Sequence, residues 1–256
     1  MVAAVLPNLI TELDSAVKTG SPERGDRILR QVTALFLSNA ERLGDAQVDV
    51  LDDVLIRLIG QAETAALVQL SESLSTIDQA PRGTIRTLAF HSDVSIAGPI
   101  LKNSSRLSEQ DLIEIARTLS QQHLLAICQR KALNEALTDA LMRRGDANVS
   151  NALARNPGAT FSECGYATLV GRAERDEGLT EKLGLRLDLP ANLLRELLAM
   201  ATDVVRARFL TASRPIAREK HSAQAPAAKA QSIKRDYSKA LNEVAALGRV
   251  GKLNDS

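Results

Sequence analysis

The stretch LARNPGATFSECGYATLV, residues 153–170, is a worn copy of ICQRKALNEALTDALM, residues 127–142. Both close an apolar run, turn sharply, and restart on an apolar residue, a small polar residue and an acid. The restart triplets are Leu133-Asn134-Glu135 and Phe161-Ser162-Glu163. An earlier restart, LSEQDL, begins at Leu107, and a later one, LPANLL, at Leu189; the separations are 26, 28 and 28 residues. Ser108, Asn134 and Ser162 stand where a helix N-cap belongs, because a short side-chain oxygen can accept from a backbone N–H one turn on. Only Ser108, with Asp111 three residues later, approaches a capping box, and Asp replaces the usual Glu or Gln. Pro190 takes the place of the cap residue at the fourth restart.

Second, shorter apolar runs fall between the restarts: VSIAGPIL, HLLAIC, VSNALA and LTEKLGL. Each unit therefore reads as two short helices. Fixed-period helix pairs are the mark of an α-solenoid, in which one unit cannot bury its apolar face without the next. The period is shorter than the ~40–47 residues of HEAT or armadillo units and the ~34 of tetratricopeptide units. Gly98-Pro99 within VSIAGPIL predicts a kinked or very short helix, since Pro lacks the N–H the helix needs.

Composition agrees with an all-α fold. Aromatic residues are only 2% of the 256, with no Trp, while apolar residues are 45% and charged residues 25%. The core must come from Leu, Ala, Ile and Val, and Leu and Ala are strong helix formers. Before the repeats, the helix signals are longer. Ser21 is a candidate N-cap and Pro22 suits the first helical position. Leu29, Val32, Leu35, Phe36 and Leu43 follow a 3.6 period, and Gly44 reads as the helix stop. Val50, Leu51, Val54, Leu55 and Leu58 form a second stripe, and AETAALVQLSESLSTI a third helix. The expected organisation is a helical cap over 1–81, a repeat stack over 82–210, a flexible Ala/Ser/Pro/Lys-rich linker over 211–231, and a C-terminal helix over 232–256. The closing VGKLNDS reads as a turn and the cap of a further helix, as at the start of a truncated segment.

The strings AGPILKNSSRLSEQDLIEIA, SQQHLLAICQRKALNEALTDALMRRGDANV and LARNPGATFSE resemble an alphaproteobacterial family of uncharacterised proteins, defined by a conserved domain of unknown function with HEAT-like helical repeats. The resemblance spans roughly residues 8–210. It implies an all-helical repeat fold and no catalytic activity.

Charge and motif content bound the function classes. Net charge is +1, but residues 1–80 carry six bases against twelve acids, and residues 201–256 eleven bases against five acids. An acidic head and a basic tail point to self-association or to a partner of opposite sign. Two cysteines, Cys128 and Cys164, make no disulfide framework, and the N-terminus lacks the basic start of a signal peptide. A cytoplasmic location is expected, with no membrane span. His123 and Cys128 lack metal-site spacing, and no nucleophile elbow or phosphate-cradling glycine loop is present. No catalytic residue, cofactor or metal is assigned.

Four cations, Lys102, Arg130, Arg155 and Arg186, each follow a unit's second apolar run. Each can serve as a favourable charge at its own helix end, or together they can form a ridge that meets an acidic partner surface or phosphates. The first expectation for function is a non-enzymatic protein-interaction scaffold or regulatory adaptor. A nucleic-acid-binding HEAT-like protein is the alternative. Scarce aromatics and a nearly neutral middle segment argue against it, because base recognition draws on stacking and phosphate binding on clustered cations. An enzyme using surface carboxylates is the weakest reading.

Overall fold

The computed structural model describes residues 22–40 and 43–213. These residues form thirteen α-helices and no strand. The chain divides into two compact units, Met1–Val149 and Ser150–Ser256, a division that falls inside the expected 82–210 stack. The expected linker and C-terminal helix lie outside the described residues, except that residues 211–213 continue the last helix.

In the first unit the helices are α1 (Pro22–Asn39), α2 (Asp45–Ile59), α3 (Thr64–Leu74), α4 (Arg82–Ala89), α5 (Val94–Asn103), α6 (Glu109–Thr118), α7 (Gln121–Ile127) and α8 (Glu135–Arg144). Alternate helices pack on one another: α1 on α3, α3 on α5 and α5 on α7 make one row, while α2 on α4 and α6 on α8 make the other. This is the solenoid-like pattern that the repeat spacing predicts, and it already begins at α1. Helix α9 (Ala147–Arg155) crosses the division. The second unit continues with α10 (Glu163–Ala173), α11 (Glu177–Gly184), α12 (Ala191–Met200) and α13 (Asp203–Ser213). Here α10 packs on α12 and α11 on α13. Among the described residues no helix is long and apolar enough to cross a membrane.

The four restart residues, Leu107, Leu133, Phe161 and Leu189, are all buried. Ser108 accepts from Asp111 N, Asn134 from Leu137 N and Ser162 from Gly165 N. The Asp111 carboxylate also accepts from Ser108 N, so Asp completes a full capping box despite its shorter reach. Arg144 ends α8, Gly145 follows, and Asp146 accepts from Val149 N at the start of α9. The Asn156-Pro157-Gly158 string is a turn, closed by Gly158 N donating to Asn156 Oδ1 at 2.8 Å.

Three local expectations need correction. Gly44 does not stop α1; it is the N-cap of α2, where its extended backbone lets Gln47 Oε1 accept from its N–H. Val50 is exposed, and the buried face of α2 is Leu51, Leu55, Leu58 and Ile59. Helix α5 runs unbroken through Pro99 for ten residues, with Ile96, Ala97, Ile100 and Leu101 buried. Burial of that face against α3 and α7 outweighs the single hydrogen bond that Pro forfeits.

Row neighbours are also tied by side chains. Asp52 on α2 accepts from Gly83 N and Thr84 N at the start of α4, at 2.7 and 2.6 Å. Arg86 on α4 reaches Asp111 on α6 at 2.8 Å. In the second unit Gly184 of α11 lies against the Phe209 ring, and a Cβ there would come within 2.2 Å of it. Leu133→Ala should cost about 2–5 kcal/mol in denaturant unfolding, as a buried large-to-small change does. Gly184→Ala should lower stability by about 1–3 kcal/mol through overpacking. A change below about half a kcal/mol in either would show that the packing register is wrong.

Candidate functional site

Helices of seven to eleven residues leave a large share of their carbonyls without intrahelical donors, because the last four of any helix are unpaired. In this chain arginines from later in the sequence supply those donors. Arg144 Nη1 donates to Ala116 O near the end of α6 at 3.1 Å, while Arg106 Nε serves the turn before α4, at Ala80 O, also at 3.1 Å. Arg206 donates to Leu198 O and Ala199 O, both at 2.8 Å. Arg130, just beyond α7, donates to Leu101 O and Ser104 O at the end of α5, both at 2.8 Å.

Arg186 is the most complete case. Its side chain follows α11 and is 8% exposed. Nη1 donates to Asn156 O at 2.6 Å and to Ala154 O at 3.4 Å; Nη2 donates to Ala159 O at 2.7 Å. Nε and Nη2 also meet the two Asp188 carboxylate oxygens at 3.0 and 2.7 Å. The guanidinium carbon sits 4.9 Å from the centre of the Phe161 ring, which in turn packs on Tyr166 at 5.0 Å. Burial works against the charged guanidinium, but the hydrogen bonds to Asp188 and Tyr166 outweigh it and raise the Arg186 pKa. Burial likewise disfavours the Asp188 carboxylate, yet Arg186 holds its pKa below the ordinary value. Burial pushes the Tyr166 hydroxyl up to about 12.

The four cations of the expected ridge thus have different environments. Arg130 is half-buried and Arg186 buried, each with its guanidinium on backbone carbonyls; Lys102 and Arg155 are exposed at helix ends. Lys102 and Arg130 belong to the first unit, Arg155 and Arg186 to the second. The sequence held a signal for the inward pair. Arg130 and Arg186 both stand three residues before a buried restart leucine, Leu133 and Leu189. His123 and Cys128 also have core roles. His123 is buried with its ring nitrogens on Ser120 Oγ and His91 O, and burial pushes the Cys128 thiol up to about 12.

Two cavities receive the exposed cations. In the first unit a mixed trough of about 640 Å³ crosses α3, α5 and α7, floored by Gly98, Pro99 and Ala126, with Lys102 and Glu72 on its walls. In the second unit a mostly apolar notch of about 540 Å³ lies between the end of α9 and the segment after α11. Its walls are Ala154, Pro157, Leu185 and Leu187, and Arg155 and Lys182 stand on its rim. Leu185 and Leu187 are 51% and 55% exposed, more than Leu37 at 39%, the other exposed leucine among the described residues. The Arg186–Asp188 pair also lines the notch, so the clasp that joins the two loops fixes part of its wall.

A family described as "uncharacterised protein conserved in bacteria", DUF2336, matches residues 96–256, more than half of the chain. The chain belongs to this family. The DUF2336 region starts within α5 and takes in the notch, whereas the resemblance read from the motif strings was placed at roughly 8–210. No curated protein and no solved structure matches the chain.

Arg186→Leu should destabilise the protein by about 3 kcal/mol, since it leaves the carbonyls of Ala154, Asn156 and Ala159 without their donor. Lys102→Ala should change stability by less than about 0.5 kcal/mol. Equal effects from the two in urea unfolding would remove the distinction between clasp and surface cation. Asp188 has a lowered folded pKa, so its contribution is present above the unfolded value of about 3.9 and is lost as pH falls through the folded one. The stability gap between wild type and Asp188→Asn should therefore be full at pH 6 and shrink below about pH 4. A gap that stays constant to pH 2 would contradict the pairing.

Proposed function

We propose that the protein is a non-enzymatic interaction scaffold or regulatory adaptor that binds another protein through the notch in the second unit. The observation that carries this reading is the pair of half-exposed leucines, Leu185 and Leu187, lining an apolar notch with part of its wall fixed. Exposed apolar surface in a concave setting is costly to leave in water and is a common feature of docking sites. The helix pairs are read as degenerate HEAT-like repeats of an alphaproteobacterial protein that works in the cytoplasm. The 26–28-residue spacing supports the repeat reading, and Cys128 and Cys164, which form no disulfide, the location.

The nucleic-acid reading has less support. Arg130 and Arg186 commit their guanidinium groups to backbone carbonyls, which leaves the proposed ridge with Lys102 and Arg155 for phosphates. Two contacts give a shallow salt slope of about −0.9 per phosphate.

The test is a comparison of captured proteins. The full chain and a Leu185→Ser/Leu187→Ser variant are immobilised and exposed to a lysate of the source bacterium. At least one protein should be retained by the wild type and reduced fivefold or more on the variant. Identical captured sets would contradict the docking reading. Micromolar binding of duplex DNA that falls on Arg155→Glu would promote the alternative.

A further inference from the structure

We propose that the notch takes an amphipathic helix of a partner protein, with leucine-like anchors flanked by carboxylates. The inference rests on the docking role of the notch and adds the chemistry of its occupant. Charge sets the flanks. Arg155 and Lys182 line the notch; Lys182 donates to Asn151 Oδ1 and faces the Asp176 carboxylate, and the single lining acid, Asp188, is tied to Arg186 by two hydrogen bonds of 3.0 and 2.7 Å. With both pairs cancelling, the exposed Arg155 is the charge left at the notch, and a carboxylate beside the anchor gains there where an ammonium is repelled.

The apolar walls decide the backbone. The carbonyls of Ala154, Asn156 and Ala159 beside the notch are taken by Arg186, and the described fold has no sheet edge to extend. An extended peptide would bury its own N–H and C=O groups against Leu185, Leu187 and Pro157 without partners, at the cost of unmade hydrogen bonds. A helix satisfies its backbone internally and presents anchors at i and i+4 on one face. An acid on the neighbouring turn then reaches Arg155 while the anchors fill the notch.

The probes are three labelled 16-residue helical peptides: one with leucines four apart and glutamates beside them, one with lysines in place of the glutamates, and one with serines in place of the leucines. Fluorescence anisotropy with the full chain should show micromolar binding of the acidic peptide, at least tenfold tighter than either counterpart. Arg155→Glu/Lys182→Glu should reverse the order of the acidic and basic peptides, with circular dichroism confirming the fold. Should the double variant not fold, Arg155→Glu alone, at an exposed position, should cut the acidic preference at least threefold. Equal binding of acidic and basic peptides, no binding of either, or a preference that survives charge reversal overturns the proposal. The Leu185→Ser/Leu187→Ser capture result is independent of peptide charge. A partner lost there with no acidic preference here would leave the docking role intact and remove only its acidic occupant.

Discussion

A short helix has a large fraction of its backbone at its ends. With four carbonyls unpaired at each C-terminus, a helix of eight residues leaves half its acceptors to be satisfied from elsewhere. After the longer α1 and α2, the described fold is built on such helices, from the seven residues of α7 to the eleven of α10 and α13. Water can serve the exposed carbonyls, but those turned toward a neighbouring helix need a donor from within the protein. Arginine suits this task because its planar fork holds several N–H donors at fixed angles. Arg130 closes the end of α5, and Arg186 the end of α9 together with the turn after it. The helix pairs are thereby joined at their corners by hydrogen bonds as well as across their faces by leucines.

The same constraint shapes the candidate site. Arg186 gathers the Asn156–Ala159 turn, the Phe161 ring and Asp188 around one guanidinium. With the loop after α11 fixed in this way, Leu185 and Leu187 on either side of Arg186 stay toward solvent rather than folding into the core. A buried cation and two exposed leucines in alternation invert the usual order of burial. The inversion follows from the clasp, and the notch is its outer surface.

Much of the fold was legible in the sequence because caps and apolar spacing are local signals. Ser108, Asn134 and Ser162 announce their helices by side-chain chemistry that acts within one turn. Leu107, Leu133, Phe161 and Leu189 recur at a spacing that already requires a stack. The site was less legible. Lys102, Arg130, Arg155 and Arg186 look alike in sequence, each a cation after an apolar run. What separates them is whether carbonyls some thirty residues earlier lie within reach, which depends on packing between helices. Leu185 was hidden for the same reason: it reads as the end of the apolar run LTEKLGL. Pro99 shows the opposite failure, where a local signal for a very short helix was overridden by the buried face of a ten-residue one.

The central claim is that the Arg186 fork, and not its charge alone, holds the corner of the second unit. Hydrogen exchange of the Arg186→Lys variant tests it most directly, because lysine keeps the positive charge while losing the planar set of donors. The account predicts faster exchange concentrated in residues 154–162 and 185–194, with protection in α5–α7 unchanged. Exchange indistinguishable from wild type across both segments would mean that a point charge suffices and would contradict the clasp.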